Sequence, residues 1–390
     1  MKHGPSAIRF APGRSPEGML FILGRPGDEK GPRRRGGASC AIIRAMSSAP
    51  TLPLAILDLS PIRHDGDEGQ SFRHSLSLAQ HGEKLGFRRY WLAEHHGMPG
   101  IASAATSTLL AYIGAGTSTI RIGAGGVMLP NHSPLVIAEQ YGTLAALYPG
   151  RVDLGLGRAP GSDGATARAL RRDLHESAER FPQDVVELMD FMSREPRQRV
   201  LAVPGRGSEV PVWILGSSLF GAQLAAHLGL PFAFASHFAP QALMQALQIY
   251  RETFQPSAQL AQPYAMAGFN VFAADDEASA HLVASSWQQS FVNLRSGRPG
   301  RLPPPAAGYR ERIGPAENAL LDSVLSCAAI GTLDTVRAGL QAFADRTGVD
   351  EIIVASGIHD HAARLRSYEI TAEAGRGLRM KGAAALRTAS

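Results

Sequence analysis

The chain has 390 residues, 44% hydrophobic and 19% charged. That profile provides for one large or two medium globular domains and argues against a disordered chain. Two cysteines, Cys40 and Cys327, exclude a disulfide-stapled mini-protein, and no apolar run approaches the roughly 20 residues that span a bilayer. The formal net charge of +5 resides wholly in the first segment: residues 1–46 carry nine Lys/Arg and three acidic residues, the remainder 30 basic and 31 acidic. The body therefore offers no electrostatic case for binding nucleic acid.

Residues 1–46, rich in Gly, Pro and Arg, read as a basic disordered tail or an extension from an upstream start. The short apolar stretch Met19–Leu23 is too brief for a secretory h-region, so a cytoplasmic protein is expected, with one domain over 47–390. Strand and helix signals then alternate. Strands are expected over Leu52–Ser60, Tyr90–Glu94, Ile120–Leu129, Arg151–Leu156, Val210–Leu215, Pro231–Ala235, Tyr264–Ala273 and Glu351–Ala355. Helices are expected over Phe72–Leu85, Ser103–Ala115, Pro134–Leu147, Ala165–Arg194 with a break at Pro182, Phe220–Leu228, Pro240–Phe254, Glu277–Leu294, Glu317–Ala328, Leu333–Thr347 and His361–Ala374. Ser296–Gly314 is a Gly/Pro/Arg-rich insertion, read either as a lid or as a plain surface loop. About eight β-then-α units imply an α/β fold with a parallel sheet closed into a (β/α)8 TIM barrel. The alternative, an open doubly wound sheet, wants G-x-G-x-x-G after the first strand, and Leu59–Asp65 lacks it.

In such barrels the chemistry gathers at the C-terminal strand ends. Those ends carry Glu94-His95-His96, Gly125-Gly126, Arg158, Gly216-Ser217-Ser218 and Ser236-His237. A helix opening at Ser217-Ser218 leaves free N–H groups and a partial positive charge. Arg158, one strand away, adds a charge-assisted contact, so this corner reads as an anion site rather than as a helix cap and a surface ion pair. The glycine pair reads either as a bulge or as a bare surface that a flat ligand can approach. His95 and His96, adjacent on a strand, point to opposite faces and do not share a metal sphere; no metal is expected. General acid/base work near neutral pH is the competing use.

Five motifs in order, Tyr90–His96 (YWLAEHH), Ile122–Ser133 (IGAGGVMLPNHS), Tyr148–Asp163 (YPGRVDLGLGRAPGSD), Val212–Leu230 (VWILGSSLFGAQLAAHLGL) and Gly331–Val336 (GTLDTV), resemble the bacterial luciferase-like flavin-dependent monooxygenases over about Leu52–Ala374. The resemblance implies a barrel that binds reduced FMN, usually as a homodimer. The flavin would come from a separate NAD(P)H:flavin reductase, and O2 added at its C4a position would oxygenate a small organic substrate. It implies Glu94 and His95 beside the isoalloxazine as catalytic residues and Gly125-Gly126, joined by a non-prolyl cis peptide, beneath the ring. Arg158 and Ser217 would hold the phosphate, with Gly216, Ser218 and Phe220 nearby, and Ser236 and His237 would face the ring. Gly157 stands where light-emitting members often carry cysteine, which points to the non-luminous branch. Leu156, Phe232, Phe234 and Phe238 are expected as apolar walls. The rival readings are a deazaflavin-dependent oxidoreductase, a flavin-binding protein without turnover, and a metal-dependent barrel hydrolase.

Overall fold

The computed structural model describes residues 51–158, 164–170 and 178–379; the expected tail over 1–46 lies outside the described residues. Nine parallel strands form: β1 Leu54–Asp58, β2 Arg89–Leu92, β3 Arg121–Met128, β4 Val152–Gly157, β5 Val212–Gly216, β6 Phe232–Phe234, β7 Ala265–Ala273, β8 Ala328–Gly331 and β9 Glu351–Ala355. Strands β1 to β7 pair in sequence, and β9 closes the circle between β7 and β1. The barrel thus has the eight strands expected. The ninth, β8, begins at Ala328, where a helix Glu317–Ala328 is expected to end and no strand is expected. It pairs with the C-terminal half of β7 over Asn270–Ala273, while β9 takes the N-terminal half over Met266–Asn270. Its four residues AAIG are too short for a periodic signal.

Alternation along the strands divides two cores. Ala55, Leu57, Trp91, Ala93, Trp213 and Met266 fill the barrel interior; Leu54, Ile56, Tyr90, Leu92, Leu154 and Leu156 face the helices. This is the period-2 geometry of a strand buried on both faces. The N-terminal mouth is plugged by charge. Arg89 on β2 reaches Glu351 at 2.8 Å and Asp153 at 2.6 Å, with its guanidinium 4.8 Å from the Trp213 ring. The whole cluster is buried, so the C-terminal mouth is the end left for a ligand.

The helix before β2 runs Glu68–Leu85, four residues longer than the apolar pattern indicated. Asp67 caps it, accepting from the backbone N of Gln70 at 2.6 Å, and Gly86 ends it in the left-handed region at φ 84°. The first turn is polar and gives no apolar period. The helical region expected over Ala165–Arg194 contains helices Gly164–Ala169 and Phe181–Met192. Pro182 lies in the first turn of the second, where its missing N–H costs no helical bond. The insertion Ser296–Gly314 crosses the C-terminal mouth as a fixed strap. The Leu302 N–H donates to the Ile62 carbonyl at 2.8 Å, its carbonyl accepts from the His64 N–H at 2.9 Å, and Arg301 Nη1 donates to the Gly66 carbonyl at 2.9 Å. Among the described residues, no helix is long and apolar enough to cross a membrane.

Candidate active site

A cavity of about 760 Å³ opens at the C-terminal mouth. Glu94, His95, Gly125, Gly126, Arg158, Gly216, Ser217, Ser218, Phe220 and His237 all line it. Ser236 does not: it is fully buried, and its hydroxyl donates to the Gly268 carbonyl at 2.6 Å, so it tethers the β6 end to β7. Of the expected apolar walls only Phe238 lines the cavity. Leu156, Phe232 and Phe234 point outward into the helix-facing core, because each falls on the outer register of its strand. Met98, Phe181, Trp287 and Phe291 take that place.

The anion corner is built by adjacent strands. Gly157 at the end of β4 pairs with Leu215 near the end of β5, which places Arg158 beside Ser217 and Ser218. The Arg158 guanidinium lies 4.1 Å from the Phe220 ring centre, a cation–π contact that orients it. It has no carboxylate partner among the described residues. Ser218 occupies the N-cap position of helix Leu219–Leu228, but its side chain makes no capping bond. The hydroxyls and the free N–H groups of this helix start, together with a guanidinium that has no carboxylate partner among the described residues, meet at one corner of the cavity. That set has the charge and donors for a phosphate.

The glycine pair forms the irregularity of the first reading. Register along β3 and β4 shifts between Ala124 and Val127, an irregularity of the bulge type, and the Gly125–Gly126 peptide bond is cis. A Cβ on Gly126 would stand 2.6 Å from the Gly155 carbonyl oxygen, and one on Gly125 2.9 Å from Leu57 Cδ1. Packing against backbone therefore demands glycine at 126, and the absence of side chains at both positions leaves a bare backbone surface on the cavity wall.

Glu94 is buried, and a single oxygen, Oε1, lies 2.8 Å from His96 Nε2 and 2.7 Å from His132 Nε2. Burial alone would raise its pKa, but hydrogen bonds from His132 and His96 outweigh this and hold the carboxyl below its ordinary range. The same bond from Glu94 raises His96 against burial. His132, 38 residues away, is the member that sequence spacing did not reveal; the three ligand-type atoms lie within 4.8 Å of one another. His95 points the other way, into the cavity, as strand alternation required. Burial lowers its pKa, and its Nδ1 is sealed without a partner among the described residues, so Nε2 is the nitrogen left for a bound molecule. Burial, with His95 nearby, pushes His237 down to about 4. Between an unfolded value near 6.5 and about 4, the unfolded chain therefore holds a proton at this position that the folded chain does not. Stability should rise with pH across that window by up to about 1.4 kcal/mol per pH unit from this one group. Melting temperatures of the wild type and His237→Asn between pH 4 and 6.5 measure it; parallel profiles for the two proteins would refute it.

Residues 52–351 match the sequence profile of luciferase-like monooxygenases. A luciferase-like monooxygenase of Escherichia coli (strain K12) is 54% identical over 321 residues, covering 82% of this chain and 96% of that protein. The crystal structure of apo-MsnO8 superposes with a TM-score of 0.78 at 34% identity, over 85% of this chain and all of that one. The oxygenating constituent of 3,6-diketocamphane monooxygenase from Pseudomonas putida, a type II Baeyer–Villiger monooxygenase solved with FMN, shares the fold. Its TM-score is 0.64 at 17% identity, over 85% of this chain and all of that one.

Proposed function

We propose that this chain, which belongs to the luciferase-like monooxygenase family, uses reduced FMN delivered by a separate NAD(P)H:flavin reductase to oxygenate a small organic substrate with O2. In this reading it acts as a cytoplasmic homodimer, each copy a single barrel domain over 47–390. The observation that supports the reading is Arg158, without a carboxylate partner among the described residues, beside Ser217 and Ser218 on the wall of a cavity of about 760 Å³. The Pseudomonas putida relative in fold was solved with FMN, in line with this choice of cofactor.

FMN would supply the redox chemistry and the activation of O2. The chain's own groups bind, orient and shield. Arg158, Ser217 and Ser218 would hold the phosphate, and the bare Gly125-Gly126 backbone would admit a planar ring. His95, neutral near pH 7 and open at Nε2, accepts or returns a proton at that atom. Glu94, kept ionised by His96 and His132, keeps a fixed negative charge next to it. Met98, Trp287, Phe291 and the strap residues Pro299, Gly300 and Leu302 exclude water from the cavity.

The test is an anaerobic titration of the purified chain with reduced FMN and, in parallel, with a reduced deazaflavin, followed by admission of O2. Tight FMN binding with O2 uptake that forms little H2O2 once a substrate is present is the expected result. Preferential binding of the deazaflavin, with no O2 uptake, would replace this function with hydride transfer on the same fold.

A further inference from the structure

The cavity has a second polar end. In the closed barrel order, β9 and β1 lie four strands away from β4 and β5, diametrically opposite the Arg158 corner. Arg364 enters there from helix His361–Gly375. Its Nε donates to the Ser356 carbonyl at 2.8 Å and its Nη2 to Asp58 Oδ1 at 2.8 Å; Nη1 has no hydrogen-bond acceptor among the described residues. Ser356, 3% exposed, has a hydroxyl that is closed to bulk solvent and has no partner among the described residues. Both residues form part of the cavity wall. Beside them Gly357 is bare backbone because the Trp287 indole occupies the space: a Cβ would stand 2.7 Å from its Cδ1. Trp287 in turn stacks on Phe291, centroids 5.0 Å apart and planes at 19°. Two unmet donors thus border an aromatic wall.

The charge of this guanidinium is already answered. Asp58, fully buried, pairs with it at 2.8 Å and is itself solvated by Ser75, Tyr90 and the Ser60 N–H. What remains toward the cavity is donor capacity with little net charge. We propose that this end of the cavity is the substrate subsite. It takes a small, neutral, largely apolar molecule by one carbonyl-type oxygen, which accepts from Arg364 and Ser356 while the apolar body rests on Trp287 and Phe291. A carboxylate would bring a second, unanswered negative charge into a buried site; a hydrocarbon would leave both donors unmet. The inference rests on the reading of the Arg158 corner as the flavin phosphate site, since that assignment leaves this end free.

Three probes with the same ring separate the cases: acetophenone, ethylbenzene and benzoate, titrated calorimetrically and anaerobically into the full chain loaded with reduced FMN. No turnover is needed. Acetophenone is expected to bind about tenfold more tightly than ethylbenzene. Ser356→Ala should weaken acetophenone about threefold and leave ethylbenzene and FMN affinity unchanged; it removes an unpartnered hydroxyl, so folding is not at stake. Arg364→Lys, if it folds, should reduce the ketone preference further. Equal binding of ketone and hydrocarbon overturns the proposal. So does tightest binding of benzoate, and so does a Ser356→Ala variant that loses FMN affinity, which would assign these donors to the cofactor. A chain that binds acetophenone selectively but not FMN keeps the subsite and overturns the cofactor reading instead.

Discussion

Arg158→Ala is expected to weaken reduced FMN by about 100-fold, roughly 3 kcal/mol, while leaving the affinity for reduced riboflavin unchanged. The guanidinium has no carboxylate to answer among the described residues, and Phe220 holds it at 4.1 Å in an orientation facing the corner of Ser217 and Ser218. Its removal therefore costs the fold little and costs the phosphate a charge-assisted, bidentate partner. Arg158→Lys should recover only part of the loss, because a point charge on a flexible stem lacks the planar fork. The FMN-to-riboflavin affinity ratio, measured anaerobically for wild type, Lys and Ala, isolates the phosphate contribution from that of the ring. An Ala variant that loses both ligands equally would show that the residue supports the fold rather than the phosphate, and the assignment of this corner would fall with it.

Asp58→Ala is expected to destabilise the barrel by about 3–5 kcal/mol, because it leaves Arg364 charged, 4% exposed and without its counter-ion. Melting should fall by roughly 4–7 °C. Asp58 is where β1, the helix Glu68–Leu85, β2 and the helix His361–Gly375 meet, through Ser75 at 2.7 Å, Tyr90 and Arg364 at 2.8 Å. Burial pushes its pKa up, but the Arg364 charge and the hydrogen bonds from Tyr90, Ser75 and Arg364 outweigh burial and leave it below the ordinary carboxylate value. The stabilisation it gives is therefore complete above its unfolded pKa, near 3.9, and disappears as pH falls through the depressed folded value. The double variant Asp58→Leu with Arg364→Met, which removes both charges, should regain much of the loss. If the single variant melts within a degree of wild type, the pair is not the structural joint described here.

Sequence by itself determined the barrel and most of its rim. Near-continuous apolar strands alternating with 3.6-period helices leave few architectures in which both strand faces are buried, and rim residues follow from where each strand ends. Hence the place of Glu94, His95, the glycine pair, Arg158, Ser217, Ser218 and His237 on the cavity wall is legible, each within three residues of a strand terminus. Tertiary structure alone decided whatever depends on meetings across the chain. Arg364 joins Asp58 over 306 residues, His132 joins Glu94 over 38, and Trp287 meets Gly357; no periodicity encodes such pairings. It also decided which face each apolar side chain takes: a strand that is hydrophobic on both sides carries no alternation to say whether Leu156 or Phe234 looks inward, and only closure of the barrel fixed the register.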